Sequence, residues 1–262
     1  MQLPLAPGEH GSFPAHQERW MIQMLGRLPP REALATCDAC VQLPPPGMEP
    51  TADEFDPGLR CCTYLPTLHN HLVGAILADQ GPEGAAGRAT VEARIDAGVG
   101  VTPLGLWAPE EFRESYKGGK GFGRDPALRC PHFQPEAGTC GIWRFREAAC
   151  STWFCRFDRG DASYEFWRAG VGNALRAGEH LLAQWAVVHL GAGTVEWGPW
   201  EGNPRGLYRA AFRLVAHYTW DQVEQLGGAE VRELAVEARR SYQALLAAPY
   251  NTHGRIALRS GG

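Results

Sequence analysis

The sequence predicts an α+β protein that is mostly α-helical, with irregular cysteine-rich loops and one short β-hairpin. Apolar residues that recur at three- or four-residue steps beyond residue 161 indicate the helices. Proline and glycine clusters between the cysteines, such as Pro44-Pro45-Pro46-Gly47, indicate the loops. We therefore expect an N-terminal arm and helix (1–29), a Cys-rich region (30–160) and a helical region packed on it (161–262).

Composition and charge limit the classes of function. With 44% hydrophobic and 21% charged residues, the 262-residue chain resembles a globular protein rather than a disordered one. A net charge of -4 gives no reason to expect nucleic acid or an anionic membrane as a partner, so we expect another protein. The chain starts without a signal-peptide pattern, and its longest apolar stretch (181–190) is too short and polar to span a bilayer. We expect a cytoplasmic protein, whose thiols stay reduced.

Three short helices are predicted before the main cysteine cluster. Residues 16–28 carry an apolar face and are stopped by Pro29-Pro30. Residues 67–80 have apolar side chains on or near one side, and residues 109–116 form a third helix with Pro109 in its first turn.

The predicted hairpin lies between the second and third helices. Val91, Ala93 and Ile95 alternate with polar residues, as in a half-buried strand, and residues 99–101 supply the return strand after a turn at 96–98.

The remaining helices follow the cysteine cluster. Residues 117–125 form a flexible, glycine-rich link in front of that cluster. Apolar residues at helical spacing predict three amphipathic helices, over about 164–188, 208–218 and 231–245.

The spacing of the cysteines is the main chemical signal. The eight are Cys37, Cys40, Cys61, Cys62, Cys130, Cys140, Cys150 and Cys155. Cys37 and Cys40 form a C-x-x-C motif, whose tight turn lets both sulfurs face one point. The last four lie within 26 residues and supply the four thiolates that a tetrahedral zinc ion or a [4Fe–4S] cluster requires. We therefore predict that all eight cysteines ligate metal, as iron–sulfur clusters or as zinc.

The adjacent pair Cys61-Cys62 favours iron–sulfur over zinc. Neighbouring side chains in extended chain point in opposite directions, so the two thiols fit poorly in one tetrahedral zinc site. They could serve two neighbouring centres, or one could ligate while the other packs. Simple burial of free thiols, structural disulfides and a redox dithiol at Cys37/Cys40 are the alternatives. No export signal supports disulfides, and Pro44–Pro46 oppose the helix that a redox dithiol needs.

Several of these motifs together resemble the YkgJ-type cysteine-cluster family, whose members are described as zinc- or iron-chelating. The similarity rests on Cys130-Pro131-His132-Phe133, on Thr139-Cys140-Gly141-Ile142-Trp143, on Arg146 and Cys150, and on the upstream Cys37/Cys40 and Cys61-Cys62. The resemblance implies metal binding. Flagellin lysine methylases have a similar cysteine pattern and an iron–sulfur centre, which makes peptidyl-lysine methylation a further hypothesis.

Other polar and aromatic residues receive weaker predictions. His69 and His71 are predicted as ordinary helix residues, because residues two apart on a helix do not share a face. His132 could replace a thiolate as a ligand. Trp143 and Trp153 could form a hydrophobic shell around the metal, and the neighbouring arginines (Arg144, Arg146, Arg156 and Arg159) could offset thiolate charge.

Three functions follow in order of preference. The first is an iron–sulfur protein in electron transfer or cluster-assisted modification chemistry, and the second a structural zinc protein that binds a macromolecular partner. The third is a peptidyl-lysine N-methylase-like enzyme, placed last because no glycine-rich S-adenosylmethionine loop follows a convincing strand.

Overall fold

The computed structural model describes residues 13–33, 35, 40–117 and 121–251, and the backbone of residues 255–256. This part of the chain is mostly helical, with a few two-residue strands, as the fold class predicted. Its α-helices are α1 (Ala15–Leu25), α2 (Asn70–Ala78), α3 (Ala85–Asp96), α4 (Glu110–Tyr116), α5 (Ala148–Ser151), α6 (Gly160–Glu165), α7 (Val171–His189), α8 (Pro204–Val215) and α9 (Trp220–Ala247). A π-helical segment, Phe166–Gly170, joins α6 to α7.

The strands form three small antiparallel sheets. They are β1 (Leu68–His69), β2 (Val101–Thr102), β3 (Gly105–Leu106), β4 (Phe133–Gln134), β5 (Thr139–Cys140), β6 (Arg156–Phe157) and β7 (Arg255–Ile256). The sheet orders are β1-β3-β2, β4-β5 and β6-β7. The sequence predicted only one hairpin, because strands of two residues carry no recognisable alternation.

The strand predicted at Val91–Ile95 is wrong, since these residues lie in α3. Val91 and Ile95 are buried four residues apart on one helical face, while Ala93 between them is exposed. Two apolar residues four positions apart, with a small residue midway between them, give the same alternating pattern as a half-buried strand. The hairpin instead joins β2 to β3, with Val101 opposite Leu106.

The three predicted early helices are confirmed with shifted ends. α1 stops at Leu25, before the prolines, because Gly26 adopts the left-handed conformation (φ 81°) that ends helices. α2 begins at Asn70 rather than Thr67, because Leu68 and His69 pair with β3. α4 follows Pro109, as the sequence predicted.

The helices predicted beyond residue 161 are also confirmed. They correspond to α6–α7, α8 and α9, and each is longer than the apolar pattern alone indicated. α9 starts with a capping box between Thr219 and Gln222 and bends at Gly228, whose φ is 62°.

Two apolar cores share α7. The first packs α1, α7 and α9 around Trp20, Trp167 and Trp220, and the second packs α2, α3, α7 and α8 around Leu106 and Tyr208. The cysteine-rich segment attaches to both cores, through Ile142 to the second and through Ala148 and Phe157 to the first. The short turn of α5, which carries Cys150, is thereby held against α7. Within the described ranges, no helix has both the length and the apolar character that a bilayer crossing requires.

Candidate metal centre

Seven of the eight predicted cysteine ligands lie in the described parts of the chain, and Cys37 lies outside them. All seven carry free thiols. Cys130 is buried and the other six are partly buried. Disulfides are therefore absent among these seven residues.

Backbone hydrogen bonds bring Cys62, Cys130 and Cys140 together. The backbone N–H of Cys130 donates to the carbonyl of Cys62 at 2.8 Å, across 68 positions of sequence. Cys140 pairs with Phe133 in the β4–β5 ladder, and the N–H of Gly141 donates to the carbonyl of His132 at 2.8 Å. The hairpin thus returns Cys140 to the segment that follows Cys130.

Cys150 joins this set from the single turn of α5. Glu147 caps this turn, since its carboxylate accepts the backbone N–H groups of Ala149 at 2.6 Å and of Cys150 at 3.1 Å. Cys130 and Cys140 lie within electrostatic reach of the Cys150 thiol, and Cys130 and Cys140 likewise act on Cys62. We call Cys62, Cys130, Cys140 and Cys150 the Cys62 group.

Cys40 and Cys155 meet in a second set. The Cys155 thiol hydrogen-bonds to the sulfur of Cys40, and this bond lowers the pKa of Cys40 to about 6. The flanking backbone is tied together as well, because the N–H of Ala33 donates to Oδ2 of Asp158 at 2.6 Å and the N–H of Asp158 donates to Oε2 of Glu32 at 2.5 Å. These bonds hold the chain that leads toward Cys40 beside the chain that leaves Cys155.

The adjacent pair connects the two sets. The side chain of Cys62 hydrogen-bonds to that of Cys61, and this bond lowers the pKa of Cys61 and raises that of Cys62. Cys61 also lies within electrostatic reach of Cys40 and of Cys140. We call Cys40, Cys61 and Cys155 the Cys40 group. Arg60, just before the pair, has a φ of 54°, a left-handed conformation that costs a non-glycine residue about 1–2 kcal/mol and that often marks functional loops.

Burial keeps the deeper thiols neutral in the absence of a cation. It raises the pKa of Cys130 to about 12 and shifts the pKa of Cys140 and of Cys150 upward as well. A bound cation reverses this preference, because a coordinating thiol is deprotonated outright.

Of the arginines predicted to offset thiolate charge, Arg146 is the one whose charge acts on several thiols. It is largely buried, and it lowers the pKa of Cys61 and opposes the upward shifts at Cys140 and Cys150. Its guanidinium carbon lies 3.3 Å from the centre of the Trp143 ring. Arg144, in contrast, lies 3.5 Å from the carboxylate of Asp79 at the surface.

His132 is fully buried beside the Cys62 group. Its Nδ1 lies 2.7 Å from the hydroxyl of Thr90, and its Nε2 has no hydrogen-bond partner among the described residues. The ring is thereby fixed in orientation. Trp153, the second predicted shell residue, packs against Phe122 and under Arg168.

As they stand, no three His, Cys, Asp or Glu side chains in the described ranges converge closely enough to form a metal-binding group. The seven thiols approach one another as hydrogen-bonded or electrostatically coupled neighbours. Ligation of one ion or cluster by either group therefore requires side-chain rotation at these positions.

Two buried carboxylates next to the Cys62 group were not anticipated from the sequence. Burial raises the pKa of both Glu147 and Glu179 to about 7, and the two charges repel each other. Glu179 accepts hydrogen bonds from Nε2 of Gln17 at 2.7 Å and from the N–H of Ala148 at 2.9 Å. Glu147 could have been recognised as a cap before a small-residue turn. Glu179 could not, because its partners are distant in sequence.

Comparison of the chain with protein-family models, with curated proteins and with solved structures found no match.

Proposed function

We propose that the chain is a metal-binding protein whose cysteine thiolates hold two iron–sulfur clusters and that it acts in electron transfer or cluster-assisted modification chemistry. One cluster is held by the Cys62 group. The other is held by the Cys40 group together with Cys37, which the C-x-x-C motif places next to Cys40. Membership of the YkgJ-type cysteine-cluster family, with another protein as partner, is part of this proposal. So is a cytoplasmic location, with which the free thiols agree.

The observation that carries the proposal is that the adjacent residues Cys61 and Cys62 belong to different cysteine groups. Cys61 interacts electrostatically with Cys40 as well as with Cys140. Cys62, in contrast, is tied through its carbonyl to the backbone of Cys130 and is acted on by Cys130 and Cys140. A tetrahedral zinc ion with sulfur ligands at about 2.3 Å needs its four sulfurs about 3.8 Å apart around one atom. Adjacent residues that belong to different groups fit two larger clusters better than one such ion.

Hydrogen bonds to sulfur give further support. Backbone amides donate to the sulfurs in short turns: those of Gln42 and Leu43 to Cys40, and those of His132 and Phe133 to Cys130. Amide donors stabilise the negative charge that thiolate ligands carry, and such donors set the reduction potential of iron–sulfur clusters. Arg146 adds a positive charge next to both groups.

A structural zinc protein is the second candidate, supported by the same Cys62 group. Residues 121–157 contain only single turns and two-residue strands, a segment that a bound metal would stabilise in place of an apolar core. Nothing in the described residues specifically favours peptidyl-lysine methylation.

The test measures iron, sulfide and zinc in protein purified without oxygen. Wild type should contain two clusters per chain. Cys150→Ser and Cys155→Ser, each from a different group, should each lose one cluster, and the double variant should lose both. A Cys130→Ser/Cys150→Ser double variant is the matched control, because both residues belong to one group and the loss should not exceed one cluster.

Zinc at two ions per chain with no iron would replace the iron–sulfur proposal with the zinc candidate. Retention of the full wild-type metal content in both the Cys150→Ser and the Cys155→Ser variants would overturn both.

A further inference from the structure

Four histidines from different elements lie in one cluster of neighbouring rings, and one of them, His16, contacts Glu179. His16 lies on α1, His69 on β1, His71 on α2 and His180 on α7. Their ring centres are separated by 6.0 Å between His69 and His71, 5.5 Å between His69 and His180, and 6.3 Å between His16 and His71. The prediction that residues 69 and 71 are ordinary helix residues is wrong for His69, which lies in β1 with its ring plane 15° from that of His71.

The inner rings of this cluster have unpartnered nitrogens. His71 is 5% exposed and His69 is 7% exposed. Neither Nδ1 nor Nε2 of His71, nor Nδ1 of His69, has a hydrogen-bond partner among the described residues. An imidazole carries a donor or an acceptor at each nitrogen, and leaving one buried and unpaired costs about 1–3 kcal/mol. Three such atoms in one place are available to a water molecule or to a metal ion.

The backbone that carries the two inner rings is fixed. The side-chain amide of Asn70, between them, donates to the carbonyls of Pro103 at 3.1 Å and of Ala183 at 3.0 Å. Its own N–H donates to the carbonyl of Leu104 at 2.8 Å. His69 and His71 are therefore held in place by three hydrogen bonds to other parts of the fold.

The fourth histidine has a carboxylate partner. Nε2 of His16 lies 2.9 Å from Oε1 of the fully buried Glu179. Histidine ligands commonly donate their second ring N–H to a carboxylate, which fixes the ring and increases its basicity. The Glu179–His16 pair has this arrangement, with the ring of His16 edge-on to that of His71.

We infer that His69, His71 and His180, together with the Glu179-supported His16, form a metal site separate from the two cysteine centres, which binds one divalent transition-metal ion of the zinc type. Imidazole donors select zinc, iron, copper or nickel rather than calcium or magnesium. The site is separate in ligand chemistry from the cysteine groups, because it offers nitrogen and no sulfur.

The ring spacing agrees with this assignment. Metal–nitrogen bonds of about 2.0–2.1 Å place each ring centre about 3.2 Å from the ion, so two imidazoles lie about 5 Å apart at a tetrahedral angle and about 6 Å at wider angles. The separations of neighbouring rings, 5.5–6.3 Å, are of this size, and closing on one ion requires the rings to turn as well as to move, because the planes of His69 and His71 are only 15° apart. These side chains do not yet form a closed coordination set in the described residues.

Cobalt(II) titration of the full-length protein tests the site. Four nitrogen ligands should give visible d–d bands without the thiolate-to-cobalt charge transfer that the cysteine groups produce, at one ion per chain. His71→Gln and the more exposed His180→Gln should weaken this binding by more than about 100-fold, and Glu179→Gln by about 10- to 100-fold, the range found for partners of ligands. His189→Gln is the matched control, because His189 lies exposed on α7 with its Nδ1 2.9 Å from the carbonyl of Trp185; it should bind cobalt as wild type does.

A second readout guards against variants that fail to fold. Zinc should raise the melting temperature of wild type and of the Cys150→Ser variant by more than that of His180→Gln. Cobalt spectra that show only thiolate charge transfer, or a nitrogen-type signal that survives in His180→Gln, would overturn the site. Because the signal comes from nitrogen ligands, it also distinguishes failure here from failure of the cysteine centres.

Discussion

The carboxylate of Glu147 accepts the backbone N–H of Cys150 at 3.1 Å and so fixes the position of that cysteine in the Cys62 group. The same carboxylate accepts the N–H of Ala149, and together the two bonds cap the single turn of α5. A four-residue turn has little stability of its own. The place of the Cys150 sulfur therefore depends on Glu147.

Replacement of Glu147 by alanine should lower the free energy of unfolding by about 1–2 kcal/mol, because two backbone N–H groups lose their partner. It should also release metal from the Cys62 group while the Cys40 group stays loaded. Denaturant unfolding and elemental analysis measure the two effects. Glu136→Ala, at an exposed position in the same segment, is the control. Unchanged metal content in Glu147→Ala would show that the cap does not position Cys150.

Removal of the Arg146 charge should make the clusters harder to reduce. The guanidinium acts on thiols of both groups, so Arg146→Gln should shift the reduction potential to more negative values, whereas Arg146→Lys should retain most of the wild-type potential. Arg144→Gln is the matched control, since Arg144 faces Asp79 at the surface. Redox titration compares the four proteins, and equal shifts in Arg144→Gln and Arg146→Gln would contradict the assignment.

The close approach of α2 to α8 should make Gly74 intolerant of a side chain. A Cβ there would lie 2.0 Å from the carbonyl oxygen of Tyr208, so that the helices must separate. Gly74→Ala should therefore destabilise the protein by roughly 2–3 kcal/mol. Gly178→Ala meets only the rings of Trp20 and Trp220 at 3.0–3.2 Å and should change stability by less, because the gain in helix propensity of about 1 kcal/mol offsets the contact. Thermal unfolding ranks the two variants, and the reverse order would contradict this packing.

Glu32 should make stability depend on pH. It is buried and accepts the indole N–H of Trp167 at 2.7 Å, and burial raises its pKa above the usual 4.5. The folded state then binds more protons than the unfolded state, so the contribution of Glu32 to stability is fully present below pH 4.5 and declines as pH rises.

The free energy of unfolding of wild type minus that of Glu32→Gln should therefore fall as the pH rises above 4.5. Glu49→Gln, at an exposed position, should show no such trend. A difference that stays level or rises with pH would contradict the raised pKa.

The sequence predicted helices correctly wherever the repeat of apolar residues was long enough. The helices beyond residue 161 and the end of α1 near the prolines follow from such repeats. Strands of two residues are too short to show a period. Val91 and Ile95 imitated a strand because their spacing of four residues fits both the two-residue period of a strand and one turn of a helix.

The candidate sites could be predicted only where the ligating residues form a motif of short, regular sequence spacing. The cysteine motifs named the candidate residues but not their grouping, because the sequence placed Cys155 with Cys130, Cys140 and Cys150, whereas its thiol hydrogen-bonds to Cys40. The histidine cluster was not recognised, because His16 and His180 come from distant helices and the orientation of His69 depends on its pairing with Gly105. Glu179 was missed for the same reason, since the three donors that face it lie on other elements.

The most direct test of the cysteine centres counts metal and reactive thiols in one sample of protein purified without oxygen. Two cluster equivalents of iron and sulfide should accompany fewer than one reactive thiol per native chain, and all eight thiols should react once metal is removed under denaturing conditions. Native protein that lacks bound metal while its thiols react freely would contradict the account.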